Sequence, residues 1–282
     1  MITLETLENS FQTITIENRN AVAKLALQGA HLFHYQAKDK SPLLWLSEIS
    51  FFEQGQAIRG GIPICWPWFG INKNNAALPQ HGFARTALWE YLDADESDNG
   101  TTIIRLQLKH SKETLSLWPY KFKLTMNITI GRTLSLSLTT ENCDDKAFEI
   151  TTALHTYFDI SSIENVTVKG LDQHRYLNAL TGKYYAQSGN IIIDREVDRV
   201  YQRVNSPLFL IDKEQTIKID NKGSSSVVVW NPWINKCARM SAMKDNAYKS
   251  MLCIETANAF EDARTIQPNQ THTLTTTYKV IT

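Results

Sequence analysis

The amino-acid sequence predicts an all-β protein, a large antiparallel β-sandwich with a few short helices. Apolar and polar residues alternate with a period of two along most of the chain, as in strands that bury one face. Turn-forming residues separate these runs at short intervals, and the strand–helix–strand rhythm of a parallel sheet is missing. Signals for helix are sparse. Together these three observations favour stacked antiparallel sheets.

The strands follow from this alternation in chain order. The first two, 11–17 and 21–27, are joined by Arg19 and Asn20, which suit a tight hairpin turn. The remaining predicted strands are 29–33, 88–93, 102–109, 121–130, 133–140, 165–171, 208–211, 216–219, 225–230, 251–255 and 271–280. Ser111 can start a short helical turn, and Asn231 with Pro232 suits the start of a helix over 233–240.

The most informative strand is 148–160, FEITTALHTYFDI, which is rich in β-branched and aromatic residues. Alternation predicts an apolar face and an unusually polar one. The apolar face holds Phe148, Ile150, Leu154, Phe158 and Ile160, and the polar face holds Glu149, Thr151, Ala153, His155, Tyr157 and Asp159. The polar face predicts the floor of a cleft. The alternative is an ordinary hydrogen-bonded histidine beside a half-exposed tyrosine.

Composition limits the classes of protein that remain. The chain has 282 residues, of which 43% are hydrophobic, enough for a sizeable core, and we expect one domain over 1–282. Its 29 basic and 29 acidic side chains give no general field for nucleic acid or an anionic membrane. The apolar runs are too short to span a bilayer. The four unpaired-looking cysteines and the acidic N-terminal segment predict a cytoplasmic protein with reduced thiols.

Several common chemistries have no motif in this chain. A P-loop and a glycine-rich dinucleotide motif after a strand are both missing, which argues against ATP and NAD. The seven histidines are scattered, and the close pair His31 and His34 would point to opposite faces of a strand, so we expect no metal. Ser241 and Lys244 match S-x-x-K, which we interpret as chance because its companion motifs are missing.

The segment 55–85, GQAIRGGIPICWPWFGINKNNAALPQHGFAR, is predicted to be a binding loop. Gly60 and Gly61 allow close backbone approach, and its aromatic residues can form rigid walls. Arg59 and Arg85 bracket the loop without neighbouring acids, and guanidinium suits phosphate or carboxylate. Each could instead be a surface residue or pair with a distant acid. His81 could equally be structural.

Two carboxylates stand out elsewhere. Glu255 ends the apolar strand 251–255, where a carboxylate must be paired, face a cleft or have a raised pKa. A raised pKa is typical of acid–base chemistry. The alternative is a buried ion pair. Asp198 has a similarly mixed setting, and its alternative is an aspartate that caps a loop.

Six motifs, in order, resemble those of one family. They are RGGIP at 59–63, QHGFAR at 80–85, LHTYF at 154–158, VDRVY at 197–201, VWNPW at 229–233 and CIET at 253–256. Over nearly its whole length the chain resembles the glucose-6-phosphate 1-epimerases, the hexose-6-phosphate branch of the aldose 1-epimerase (galactose mutarotase-like) family. Any one motif alone would be a weak signal, whereas six in the same order are a strong one.

The resemblance implies a single-domain β-supersandwich with the sugar in an open cleft and no metal or organic cofactor. It implies that His155 is the general acid and Glu255 the general base. It implies further that the sugar phosphate is bound by Arg59, Gln80, Arg85 and Asp198, with His81 close by. The expected partner is therefore a small-molecule sugar phosphate, glucose 6-phosphate first, bound by a monomer.

These residue types suit the exchange of α and β anomers. A base removes the proton of the C1 hydroxyl while an acid protonates the ring oxygen, the ring opens and recloses, and the two groups reverse their roles. We expect the active form to carry ionised Glu255 and protonated His155. Two alternatives stay open: a non-catalytic sugar-binding domain, and a glycosidase or lyase with two carboxylates around the scissile bond.

Overall fold

The computed structural model describes residues 1–213 and 215–281 and confirms the all-β prediction. The strands are β1 (Ile2–Thr6), β2 (Gln12–Glu17), β3 (Ala21–Ala26), β4 (His31–Ala37), β5 (Ile64–Cys65), β6 (Glu90–Glu96), β7 (Thr102–Lys109), β8 (Phe122–Ile130), β9 (Leu134–Asn142), β10 (Phe148–Ile150), β11 (Thr152–Leu154), β12 (Tyr157–Asp159), β13 (Thr167–Lys169), β14 (Arg175–Asn178), β15 (Lys183–Ala186), β16 (Val197–Gln202), β17 (Leu208–Ile211), β18 (Thr216–Lys222), β19 (Ser226–Asn231), β20 (Met251–Asn258), β21 (Arg264–Ile266) and β22 (Thr271–Val280). The helices are α1 (Lys112–Leu117) and α2 (Trp233–Cys237), with 3-10 turns at Ile163–Asn165, Ala247–Lys249 and Phe260–Asp262.

Two large antiparallel sheets dominate the described residues. The back sheet has the order β13-β17-β18-β22-β9-β8-β7-β6. The front sheet has the order β15-β14-β16-β19-β20-β11-β5, with β12 also paired to β20. A four-stranded sheet, β1-β2-β3-β4, and the pair β10-β21 complete the fold.

The main core lies between the two large sheets. Strand β20 shows how it forms: Leu252 and Ile254 join the core cluster that includes Leu124 and Leu136 of the back sheet. The alternate residues of β20, such as Cys253, belong to a second buried cluster on the outer face of the front sheet. Both faces of β20 are therefore buried, which places its polar residues inside the protein.

The predicted strand 148–160 is in fact three short strands, and the single-strand prediction is wrong. Backbone donors leave the ladder at its breaks, because Thr151 N–H donates to Pro67 O (3.0 Å) and His155 N–H to Pro63 O (3.0 Å). The loop 55–85 thus takes hydrogen bonds that a continuous strand would have given to its sheet. The two faces nevertheless alternate as predicted around His155, with Leu154 and Phe158 in the main core.

Other predicted elements are confirmed with shifted ends. Strand β4 begins at His31, because Gly29 has a positive φ of 76° and forms a turn. Helix α1 begins after Ser111, whose Oγ accepts a hydrogen bond from Thr114 N–H (3.3 Å). Helix α2 ends at Cys237 instead of 240, and Asn231 is the last residue of β19. Within the described ranges, no helix is both long and apolar enough to cross a membrane.

Candidate active site

Adjacent strands of the front sheet bring Asp198, Trp230, Tyr157 and Glu255 onto one face. Asp198 of β16 is paired with Trp230 of β19, and Trp230 is paired with Cys253 of β20. On its other side, Cys253 is paired with Tyr157 of β12. Glu255 follows two residues after Cys253 and therefore shares its face. This face forms the floor of a cleft of about 510 Å³.

All seven residues predicted from the sequence line this cleft. They are Arg59, Gln80, His81, Arg85, His155, Asp198 and Glu255. The volume falls within the range of about 300 to 1,000 Å³ that is usual for small-molecule sites. Because all seven residues line one cleft, their positions support the predicted binding site.

His155 and Glu255 form a buried pair at the bottom of the cleft. His155 Nε2 lies 3.4 Å from Glu255 Oε1, and the two residues are only 9% and 1% exposed. Glu255 Oε2 is buried without a hydrogen-bond partner among the described residues. A buried carboxylate oxygen of this kind has lost its water, so it is available to a ligand hydroxyl.

The surroundings of this pair disfavour charge on both members. Burial raises the pKa of Glu255 well above its usual value, and the nearby charge of Asp198 raises it further. Burial also lowers the pKa of His155 well below its usual value, and His81, Arg85 and Arg59 add to that effect. The free protein therefore favours a neutral carboxylic acid and a neutral imidazole. Burial thus opposes, in the free protein, the ionised Glu255 and protonated His155 that the sequence predicts for the active form.

Arg59 enters the cleft from the loop 55–85. Its backbone N–H donates to Ser50 Oγ (2.8 Å), and its carbonyl accepts from Ser47 N–H (3.0 Å), so the backbone is held on both sides. Its Nη1 lies 3.5 Å from Tyr157 Oη, and its Nε is buried without a partner among the described residues. A guanidinium with a buried, unpaired donor is suited to an anionic ligand.

Gln80, His81 and Arg85 come from the end of the same loop. Arg85 Nη2 donates a hydrogen bond to Gln80 O (2.7 Å), which joins the two ends of the segment 80–85. His81 has a positive φ of 65°, and its Nδ1 accepts a hydrogen bond from Gly70 N–H (3.1 Å). Burial and the neighbouring arginines lower the pKa of His81 to about 3. His81 is therefore a neutral imidazole whose Nε2 carries the proton and can donate to a ligand.

The aromatic run of the loop is largely not a cleft wall. Trp66 is fully buried, donates from Nε1 to Thr140 Oγ1 (3.1 Å) and packs against Phe122 in the core. Trp68 is also buried and donates to Pro79 O (2.9 Å). Of this run, only Phe69 lines the cleft. The prediction of aromatic walls was therefore wrong for both tryptophans, since the indole N–H of Trp66 bonds to Thr140 of the back sheet and that of Trp68 to Pro79 of its own loop.

Asp198 lies on a strand and not at a loop cap, and it meets a residue that sequence reasoning missed. Lys236 of helix α2 lies 3.2 Å from Glu196 Oε1 and 3.9 Å from Asp198 Oδ2, and it lines the cleft. Burial raises the pKa of Asp198, Lys236 lowers it and Glu196 raises it. A lysine on a short helix is usually solvated, so the sequence contains no signal for this role.

Asp159 does not line the cleft, although it shares the predicted polar face with Tyr157. It lies near Asp212, whose carboxylate accepts hydrogen bonds from Ser161 N–H (2.7 Å) and Ser161 Oγ (2.5 Å). Burial raises the pKa of Asp159 to about 6, and the charge of Asp212 adds to this. Asp159 is thus an ionisable group that destabilises the fold when charged.

Replacing Asp159 with asparagine is expected to raise the free energy of unfolding near neutral pH by about 1–2 kcal/mol, discounted for partial exposure. The folded-state pKa is above the unfolded value, so the contribution of Asp159 to stability is complete below about pH 4 and is lost as the pH rises through about 6. Urea unfolding at about pH 4.5 and 7.5 measures this. The gain should be much smaller at the lower pH, whereas the exposed control Asp98→Asn should change neither value. A gain of equal size at both pH values would contradict the assignment.

Among the described residues, no group of three or more His, Cys, Asp or Glu side chains is arranged to hold a metal ion. Two arginines, two lysines, two carboxylates and two imidazoles line the cleft. Side chains of these types can exchange protons and bind an anion.

Comparison with known proteins places the chain in a family. The family model for aldose 1-epimerase matches residues 12–279. The chain belongs to the aldose 1-epimerase family. It is 37% identical over 265 residues to a protein from Cenchrus ciliaris to which glucose-6-phosphate 1-epimerase activity is ascribed, covering 89% of this chain and 79% of that protein.

Two solved structures agree with the fold. The crystal structure of YeaD from Salmonella typhimurium, to which mutarotase activity is ascribed, superposes with a TM-score of 0.92 at 31% identity, covering 99% of this chain and 93% of that one. A galactose mutarotase-like protein from Clostridium acetobutylicum has a TM-score of 0.78 at 13% identity, with 99% and 98% covered, which shows the fold alone. The protein is thus an epimerase with the galactose mutarotase-like β-sandwich.

Proposed function

We propose that this epimerase interconverts the α and β anomers of a hexose 6-phosphate, with glucose 6-phosphate as the first candidate. The observation that carries the proposal is the buried contact of 3.4 Å between His155 Nε2 and Glu255 Oε1 on the floor of a cleft. The ascribed activity of the relative from Cenchrus ciliaris supports the choice of glucose 6-phosphate.

In the proposed reaction, Glu255 removes the proton from the C1 hydroxyl while His155 protonates the ring oxygen. The C1–ring oxygen bond breaks, the open-chain aldehyde rotates about C1–C2, and the two groups reverse their roles as the ring closes. Each group ends in its starting protonation state, so a full turnover needs no other reactant. Acid–base groups held in place contribute about 100-fold to 10,000-fold.

The pair carries one proton in the form proposed to act. That proton can lie on Glu255, as the buried surroundings favour in the free protein, or on His155, as the first step requires. A sugar hydroxyl that donates to Glu255 favours the carboxylate form, because hydrogen bonds to a charged group stabilise it. Substrate binding would therefore move the proton toward the arrangement that reacts.

The phosphate end of the substrate is proposed to bind Arg59 and Arg85, with Gln80 and Asp198 on the sugar. The buried, unpaired Nε of Arg59 supports this, since a phosphate oxygen would satisfy it. His81 is proposed to donate its Nε2 proton to a sugar oxygen. Its neutral state, which burial enforces, makes it a donor at all pH values used below.

We propose that the domain organisation, oligomeric state, location and partners of the protein are those expected from the sequence. Residues 1–282 form one domain that acts as a monomer in the cytoplasm on a small sugar phosphate, without nucleic acid, membrane, metal or organic cofactor. The shared core of the two large sheets supports the single domain. The self-contained proton cycle of His155 and Glu255 supports catalysis without a cofactor.

The proposed activity is tested by anomer exchange at equilibrium. Two-dimensional exchange NMR of the anomeric protons of glucose 6-phosphate measures the α–β exchange rate with and without protein. We expect faster exchange and no new signals. A non-catalytic sugar-binding protein would broaden or shift the signals without raising the exchange rate, and a glycosidase or lyase would leave the rate unchanged, because glucose 6-phosphate has no glycosidic bond to cleave. Either result would contradict the proposal.

The pH dependence of kcat/KM is expected to be a broad bell around neutrality. Only the form with one proton on the His155–Glu255 pair is active. On the acid limb, the pair takes up a second proton at a pH below the usual histidine range, because the pKa of His155 is lowered. On the alkaline limb, the pair loses its last proton at a pH above the usual glutamate range, because the pKa of Glu255 is raised. Exchange rates between about pH 5 and 9.5, corrected for the protein-free rate, measure the profile.

Unphosphorylated glucose serves as the control for this profile, because the substrate phosphate itself titrates near pH 6. A fall in rate that the pH profile shows with glucose 6-phosphate and not with glucose is due to titration of the substrate phosphate. A rate that keeps climbing through alkaline pH would contradict the acid role of the pair.

A further inference from the structure

The imidazole of His155 lacks the support that usually orients an acid–base histidine. Such histidines commonly donate from their second ring nitrogen to a carboxylate or carbonyl, which sets the ring orientation. His155 Nδ1 is buried with no hydrogen-bond partner among residues 1–213 and 215–281. Some other contact must therefore hold the ring so that Nε2 faces Glu255.

Aromatic rings surround this imidazole. The Tyr157 ring stacks on it with centroids 4.8 Å apart and an interplanar angle of 13°. Trp45 stacks on Tyr157 in turn, at 5.8 Å and 24°. The edge of Trp230 meets His155 at 5.8 Å and 74°, and it meets Tyr157 at 6.0 Å and 79°. These geometries match the favoured arrangements of aromatic pairs.

Tyr157 itself is rigidly held. It is 2% exposed, its N–H donates to Gly61 O (2.9 Å), and its carbonyl accepts from Trp45 N–H (3.0 Å). Trp45 Nε1 donates to Ser250 Oγ (3.1 Å), which fixes the outer ring. Because the stack is anchored at each member, it can transmit a definite orientation to the imidazole.

We propose that Tyr157 is a positioning residue for His155, whose imidazole plane it fixes by ring stacking where other sites use a hydrogen bond. The hydroxyl of Tyr157, 3.5 Å from Arg59 Nη1, also joins this stack to the proposed phosphate-binding arginine. The inference rests on the proposed acid–base function. It requires the flat face of Tyr157 and assigns a lesser part to the hydroxyl.

Two substitutions separate ring from hydroxyl. Methionine at 157 fills a similar volume without a flat face, and phenylalanine keeps the ring. Tyr157→Met is expected to lower kcat about tenfold to a hundredfold with KM changed less than about threefold, because misorientation of the acid affects the chemical step. Tyr157→Phe should retain kcat within about threefold. Tyr185→Met, in the remote stack of Tyr176 and Tyr185, is the matched control and should keep wild-type kcat.

A second readout uses the free protein. The nuclear Overhauser signals between the imidazole protons of His155, assigned by their loss in His155→Asn, and the ring of Trp230 should weaken in Tyr157→Met and stay near wild type in Tyr157→Phe, because they depend on the orientation of the imidazole. The half-buried loop residue His174, which lies outside the cleft, is the internal reference. If Tyr157→Met does not fold, Trp45→Met takes its place, because it removes the ring that stacks on Tyr157, with a smaller loss of kcat expected.

Four results would overturn the proposal: unchanged kcat in Tyr157→Met or its substitute, equal losses in the Met and Phe variants, a rise in KM at constant kcat, or unchanged His155 signals. Failure of the proposed function appears differently. In that case the wild-type protein itself does not accelerate anomer exchange, and the His155 signals alone decide whether Tyr157 sets the ring.

Discussion

His155→Asn and Glu255→Gln are each expected to lower kcat for glucose 6-phosphate at least about 100-fold, with substrate still bound. Each substitution removes one of the two groups that exchange a proton with the sugar. Glutamine is close in shape to the neutral carboxylic acid that burial favours, so Glu255→Gln should leave the free energy of unfolding unchanged or higher. The measurements are exchange NMR for kcat and isothermal titration for binding.

Matched controls exclude general effects of these substitutions. His174→Asn and Glu164→Gln change the same residue types outside the cleft and should keep wild-type kcat. Thermal unfolding verifies that all four variants are folded. Near-wild-type turnover in either pure cleft variant would refute its catalytic role. A loss of binding in place of turnover would make that residue a sugar ligand only.

Arg59→Ala and Arg85→Ala are each expected to lower kcat/KM for glucose 6-phosphate at least about tenfold, while glucose changes much less. Charge-assisted hydrogen bonds to phosphate contribute about 1.5–3 kcal/mol each, or roughly tenfold to a hundredfold in binding. Lysine at either position should recover only part of the loss, because an ammonium cannot reproduce the planar fork of donors. Both sugars are measured with both variants at fixed ionic strength.

Arg195→Ala is the control for this pair, since Arg195 forms a surface ion pair with Asp194 outside the cleft. It should leave both sugars unaffected. Equal losses for glucose and glucose 6-phosphate would assign the arginines to the sugar ring or to the fold. Arg85 in particular also holds Gln80 O through Nη2, so its alanine variant tests whether that contact orders the loop.

Much of the back sheet could be predicted because its strands have one buried and one partly exposed face. Strand β7 shows the alternation of buried and half-exposed residues, and its predicted bounds, like those of β17 and β22, coincide with the observed ones. Strands β14, β15 and β16 were missed. Their burial depends on pairing partners distant in the sequence, and in β15 all residues are exposed, so no alternation marks it.

For the candidate site, the sequence by itself determined the residue types and the motifs around them, and these sufficed to name the family and seven of the residues that line the cleft. What only the tertiary structure decided is how they meet. The register of β16, β19, β20 and β12 sets Glu255 and Asp198 on one face, and the break after Leu154 sets His155 against Glu255. Lys236 and the Tyr157 stack belong to this second category. The reason is physical: burial, pKa and orientation depend on groups far apart along the chain, and no local pattern records which of them share a solvent-free space.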